Sequence, residues 1–291
     1  MNPDKGCYPT GNREEMLSAP CAVCGNDRGA PLIRRKEWRV LACIRCGLGV
    51  LDPRPSEEAL QKLYEAEYFK DQYDDGLDPS SAAFQKRIRG EDHRVRFVRK
   101  ATSSGKILDM GCGYGYFPAA ARMAGFSVTG YEISEWAARY AQERLKLPVV
   151  QAPLSPRLFA PGSFDVITMW HFLEHTADVN FTIATAAGWL KQEGALVIDV
   201  PNHEGADARR NGADWVGWQL PYHLYHFSPE SLKRLLEKHG FSIRFSKTYH
   251  SETIKNRLRR LPVIGWAARP IAKLYSGTSI AVIARRVSVP G

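Results

Sequence analysis

The chain has 291 residues, 44% hydrophobic and 24% charged, the balance of an ordinary folded protein with room for one large domain and a small one. Its first twenty residues contain no apolar run, and no stretch of about 18 apolar residues occurs, the nearest (261–284) being broken by Arg269, Pro270 and Lys273; this excludes a secretory signal and a membrane-crossing helix and leads us to expect a cytoplasmic protein. The net charge of +9 lies at one end, because residues 241–291 hold ten Lys or Arg and one acid, Glu252, while residues 1–240 sum to zero; such an end is either a solvated basic face or a contact for an anionic partner.

Residues 1–18 read as a flexible tail, with Cys7 as a spare thiol. Residues 19–52 are short, Gly-punctuated hairpins carrying Cys21-x-x-Cys24-Gly and Cys43-x-x-Cys46-Gly, 18 residues apart. Each CxxC turn offers two thiolates on one side, and two facing turns give the closed tetrahedral sulfur shell that zinc prefers. A structural zinc held by Cys21, Cys24, Cys43 and Cys46 in a zinc ribbon is therefore expected. A redox pair is the weaker alternative, since such pairs come singly.

Residues 53–100 read as a helical linker region. Ser56 caps a helix reaching about Phe69, residues 71–81 form a loop, and a charged helix follows over 82–100. From residue 101 to 291 strands and helices alternate. Strands are expected at 106–110, 127–131, 149–151, 164–169, 195–200, 241–248 and 279–286, with helices at 116–124, 134–146, 178–190 and from Ser228 to His239. Short apolar strands between helices predict an α/β, Rossmann-like, seven-stranded doubly wound sheet behind the ribbon.

The first strand of that pattern runs into Asp109-Met-Gly111-Cys-Gly113-Tyr-Gly115-Tyr116, and the next ends at Glu132-Ile133. Glycines let the backbone turn sharply and approach a ligand, and an acid in the second position can accept both ribose hydroxyls. Asp109-x-Gly111-x-Gly113-x-Gly115 resembles motif I of the class I S-adenosylmethionine-dependent methyltransferases, and Glu132 resembles their ribose-binding acid. Residues 164–169, the His171-Phe-Leu-Glu174-His175 stretch and residues 228–241 resemble later parts of that family. The likeness covers about residues 82–286. It implies S-adenosylmethionine as cofactor, contacted by Asp109, Gly111, Gly113, Gly115, Tyr116, Glu132, Ile133, Met169, Trp170 and His171. Gln151-Ala-Pro-Leu154 stands where the family often has an acid near the adenine. A nicotinamide dehydrogenase is the runner-up, but its fingerprint is GxGxxG rather than GxGxG. The ribbon also resembles the zinc-binding front end of some bacterial methyltransferases, including deoxysugar C-methyltransferases. Those carry a further C-terminal domain for which 291 residues leave no room, so the sugar substrate is not carried over.

Methyl transfer is an in-line displacement that needs a base only if the acceptor must lose a proton. The long connection 201–227 holds the densest set of proton-transfer groups, and Tyr222, His223 and His226 are the candidate catalytic residues, with His223 or His226 as base. Structural roles for these histidines compete with that reading. Trp215 and Trp218 are candidate walls for an apolar substrate. His171 and His175, four apart, fit one helix face; contact with cofactor or substrate is the expected role, and a metal pair is the weaker alternative because no nearby Cys or acid clearly completes a shell. Residues 255–275 mix Lys and Arg with Leu, Ile, Trp and Tyr, as a lid or an anionic membrane contact would. The function expected is methyl transfer to a small-molecule, glycan or lipid-linked acceptor. The competing reading is a nucleic-acid-binding protein using the ribbon and basic end, against which Trp38 is the one aromatic in residues 19–52.

Overall fold

The computed structural model describes residues 14–55, 77–260 and 265–287. The expected helix over 56–69, Cys7 with most of the expected tail, and residues 71–76 and 261–264 lie outside the described residues. In chain order the strands and helices begin with β1 (Glu15–Met16), β2 (Arg28–Arg35), β3 (Trp38–Cys43), β4 (Gly49–Leu51), α1 (Ala82–Gly90) and α2 (Asp92–Val98). Then come β5 (Lys106–Met110), α3 (Tyr116–Met123), β6 (Ser127–Tyr131), α4 (Glu135–Glu143), β7 (Val149–Val150), β8 (Phe164–Trp170), α5 (Val179–Trp189) and β9 (Leu190–Pro201). The remainder is α6 (Ala206–Asn211), β10 (Tyr225–His226), α7 (Pro229–Lys238), β11 (Phe241–His250), α8 (Glu252–Arg259), α9 (Ala268–Ala272) and β12 (Ser276–Arg286).

The seven-stranded, mostly parallel sheet has the order β11-β12-β9-β8-β5-β6-β7, as expected from the alternating pattern. β5 pairs in parallel with β6 on one side and β8 on the other. The chain thus winds outward from β5 through β6 and β7, then restarts beside β5 with β8. That reversal is the topological switch point, where open α/β sheets bind ligands at the carboxyl ends of the strands. β5 reads KILDM and is buried after its first residue, as an inner strand paired on both sides in a parallel sheet is.

Contacts within the chain divide it into two compact units. One comprises Ser56–Phe172, Phe181–Ile198 and Ile283–Gly291, as far as these are described. Its core includes Ile107, Leu108, Phe117, Val166 and Ile167. The single helix expected over 82–100 is two helices, α1 and α2, broken at Glu91. That side chain is buried, with ion pairs to Arg87 and Arg94.

The other unit comprises the described residues up to Pro55, with Leu173–Asn180 and Asp199–Val282. Its five-stranded sheet has the order β1-β2-β3-β4-β10. β1 lies in the stretch expected as tail. β10 comes from the stretch expected as a long connection, and it pairs antiparallel with β4 through Tyr225↔Val50 and His226↔Gly49. Trp215 and Trp218 pack with Ile33, Val40 and Ala208 in the core of this unit, edge to face at 5.1 Å. They are core residues here, since the two indoles are 2% and 1% exposed. Ser228 caps α7 in a reciprocal box with Ser231, and Pro229 occupies the first turn.

Candidate functional site

The corner at the end of β5 is built from the glycine loop outward. Gly111, Gly113 and Gly115 have φ of 73°, 51° and 78°, the left-handed region that side-chain-bearing residues avoid. The three glycines differ in what surrounds them. A Cβ at Gly111 would meet Phe172 Cδ2 at 2.4 Å, and one at Gly115 would meet Leu147 Cδ1 at 2.6 Å, whereas one at Gly113 would meet nothing within 4 Å. Gly111 and Gly115 are therefore glycines for packing, and Gly113 is the apex that faces open space. The N–H groups of Gly111 and Cys112 both donate to the Tyr131 carbonyl, at 2.8 and 3.1 Å, which ties the loop to the end of β6.

Glu132 closes the corner. Its Oε2 accepts from the Gly113 N–H at 2.8 Å and its Oε1 from the Ser134 N–H at 2.9 Å. Burial raises its pKa, and the backbone donors oppose that rise. Each carboxylate oxygen keeps acceptor capacity for a ribose hydroxyl. Asp109 is 2% exposed, and burial pushes its pKa up to about 7 against the hydrogen bond from Thr168. Thr168 Oγ1 donates to Asp109 Oδ1 at 2.6 Å. Thr168 was not a sequence candidate. Its place opposite Asp109 follows from the β5–β8 register, which single-strand patterns do not carry.

The other expected cofactor residues fall into three settings. Tyr116 packs with Tyr114 at 6.1 Å and Tyr140 at 6.3 Å, and its hydroxyl accepts from the Leu77 N–H at 3.1 Å. Ile133 is 58% exposed beside Glu132. Met169 and Trp170 end β8 and are buried, with Trp170 edge-on to Phe117 at 5.3 Å and Arg94 over its ring at 5.1 Å. His171 is exposed, with a φ of 54°. It lies outside any helix, so the expected shared helix face with His175 does not form; His175 sits in a 3-10 turn, Leu173–His175.

In the other unit the four ribbon cysteines come together. Cys21 Sγ lies 3.4 Å from Cys46 Sγ, and Cys24 Sγ lies 3.5 Å from Cys43 Sγ. All four sulfurs lie within 4.8 Å of one another. Tetrahedral zinc with Zn–S bonds of about 2.3 Å needs sulfurs about 3.8 Å apart, so the donor set and its spacing fit such an ion. Hydrogen bonding from Cys46 lowers the Cys21 pKa to about 5.

The three candidate catalytic side chains also belong to this unit. His223 is buried, its Nδ1 2.9 Å from the Gly217 carbonyl. His175 Nδ1 lies 3.1 Å from the Tyr222 carbonyl, and the His175 and His223 rings meet edge to face at 4.5 Å. His226 is 1% exposed, and neither of its ring nitrogens has a hydrogen-bond partner among the described residues. Burial drives its pKa down to about 3, which keeps it neutral near pH 7 and makes it a weak base.

A family model described as a methyltransferase domain matches residues 82–244. The ubiquinone biosynthesis O-methyltransferase of Bartonella quintana is 31% identical over 153 residues, which cover 47% of this chain and 60% of that protein. Its namesake from Thiobacillus denitrificans is 29% identical over 166 residues, covering 53% and 69%. The chain thus spans about three-fifths to two-thirds of the length of these curated relatives. Among solved structures, the magnesium protoporphyrin IX methyltransferase of Synechocystis PCC 6803, with bound SAH, aligns with a TM-score of 0.54 at 18% identity, covering 80% of this chain and all of that one. A SAM-dependent methyltransferase of Archaeoglobus fulgidus aligns with a TM-score of 0.51 at 21% identity, covering 69% and 94%. These structural likenesses establish the fold. The family match takes in the glycine loop, Glu132 and the β8 end together, so the chain belongs to the methyltransferase-domain family.

Proposed function

We propose that this enzyme methylates a hydroxyl oxygen of a small organic acceptor and carries one structural zinc in its four-cysteine cluster. The observation that carries the acceptor class is the name shared by the two relatives described above, each a ubiquinone biosynthesis O-methyltransferase. S-adenosylmethionine, when bound, supplies an electrophilic methyl group on a positively charged sulfur. The apex at Gly113 would let the backbone approach that molecule, Glu132 would accept its ribose hydroxyls, and Asp109, once ionised, would complement its positive charge. Orienting two reactants in this way can remove on the order of 7–11 kcal/mol of barrier, so little further chemistry is asked of the protein.

Four cysteine ligands would close the zinc shell and leave no position for substrate, which makes the ion a staple for β2, β3 and their turns. Residues 255–275 supply the remaining element of the proposal. Trp266 is 84% exposed and Leu274 82%, near in sequence to Arg257, Arg259, Arg260, Arg269 and Lys273, a composition suited to peripheral contact with an anionic bilayer.

The test is a product assay with methyl-labelled S-adenosylmethionine and separate panels of hydroxylated, amine, carbon-nucleophile, glycan and lipid-linked acceptors. Label on oxygen of a small hydroxylated compound supports the reading. Label confined to nitrogen, carbon or a polymer overturns it.

A further inference from the structure

We infer that Glu174, His175 and His223 form a second metal site, distinct from the four cysteines, that takes a first-row divalent cation. One ligand atom from each of these three residues lies within 4.8 Å of the others. Three ligands on bonds of about 2.1 Å lie about 3.4 Å from one another in tetrahedral geometry, so an inward shift of about 1.4 Å at most separates this spacing from coordination. The three belong to one compact unit, and the backbone holds them together: the Leu224 N–H donates to the Glu174 carbonyl at 2.8 Å, joining the turn that carries Glu174 and His175 to the segment that carries His223.

The tautomers are set by the partners. His175 Nδ1 faces the Tyr222 carbonyl at 3.1 Å, and His223 Nδ1 faces the Gly217 carbonyl at 2.9 Å. A carbonyl only accepts, so each Nδ1 carries the hydrogen, and in each neutral ring the lone pair is on Nε2. An imidazole that donates through one nitrogen to a backbone carbonyl and presents the other as a base is the arrangement that metal-binding histidines use. Glu174 is 0% exposed and His223 3%. Two imidazoles and one carboxylate are a borderline donor set, suited to zinc, iron or cobalt rather than to calcium or magnesium. Three protein ligands would leave at least one position for water or an oxygen donor, unlike the closed cysteine shell. In this arrangement His223 is a ligand rather than a base.

Cobalt(II) titration of the full chain after chelator dialysis tests the site, because the two sites differ in spectrum. Cobalt on the cysteines gives a thiolate charge-transfer band, and cobalt on nitrogen and oxygen gives only weak ligand-field bands. Two equivalents are expected in the wild type. His223→Gln and Glu174→Gln are each expected to lose the ligand-field equivalent while keeping the thiolate band, which reports that the unit has folded. A wild type that binds one equivalent, or a second equivalent that persists in both variants, overturns the assignment. Should a variant lose both bands through misfolding, long-range proton–nitrogen spectra of wild-type histidine rings decide. Two Nε2 resonances are expected to move during the second equivalent of Zn2+, and unmoved rings overturn the site.

Discussion

At the scale of single residues, the glycines and acids of the loop carry separable jobs. Glu132 accepts from Gly113 and Ser134, and hydrogen bonds to a charged group are worth about 1.5–3 kcal/mol each. Glu132→Ala is expected to weaken S-adenosylmethionine binding by roughly 10- to 150-fold, the equivalent of one such bond, in calorimetric titration; unchanged affinity would remove Glu132 from the cofactor site. Gly111→Ala should cost more stability than Gly113→Ala in chemical denaturation. Both meet a left-handed backbone, but only the first drives a Cβ to 2.4 Å from Phe172. Equal losses would mean that Phe172 moves aside freely. Asp109 links stability to pH. Its pKa rises from 3.8 to about 7 in the folded chain, so the folded state holds this proton more tightly than the unfolded state does. The stability it contributes is full below pH 3.8 and is lost as pH rises through about 7. Asp109→Asn should therefore lack that part of the decline between these limits, seen as the difference between the two denaturation-against-pH profiles.

At the scale of elements, the strands and helices of the parallel sheet were legible because each carries its own signal. β5 reads as a buried apolar run, and α7 announces itself through Ser228 and Pro229. The box at Ser228 gives a direct check: Ser228→Ala is expected to cost about 1 kcal/mol of unfolding free energy, and a loss of only a few tenths would mean that Ser231 caps the helix alone. The break at Glu91 was not legible, because the buried ion pairs with Arg87 and Arg94 that accompany it depend on what covers Glu91 in the folded unit. The order within residues 201–227 was missed for a related reason. A two-residue strand has no periodicity to detect, and β10 exists because β4 offers it an edge.

At the scale of the whole molecule, no described helix is long and apolar enough to cross a membrane. Replacing Trp266 and Leu274 with Ser is expected to reduce flotation of the protein with anionic vesicles, with little change for neutral ones; equal flotation of variant and wild type would assign the basic stretch to solvent. The sequence by itself determined the glycine turn after β5 and the cysteine cluster. A left-handed turn selects glycine wherever it occurs, and two CxxC turns place their thiols through covalent geometry alone. Only the tertiary structure decided the company of His175. Its hydrogen-bond partner Tyr222 lies 47 positions away, and nothing local in the sequence marks the meeting of its ring with that of His223. Bond geometry and backbone sterics act between neighbours in the chain, whereas a site of this kind depends on which distant segments the fold presses together.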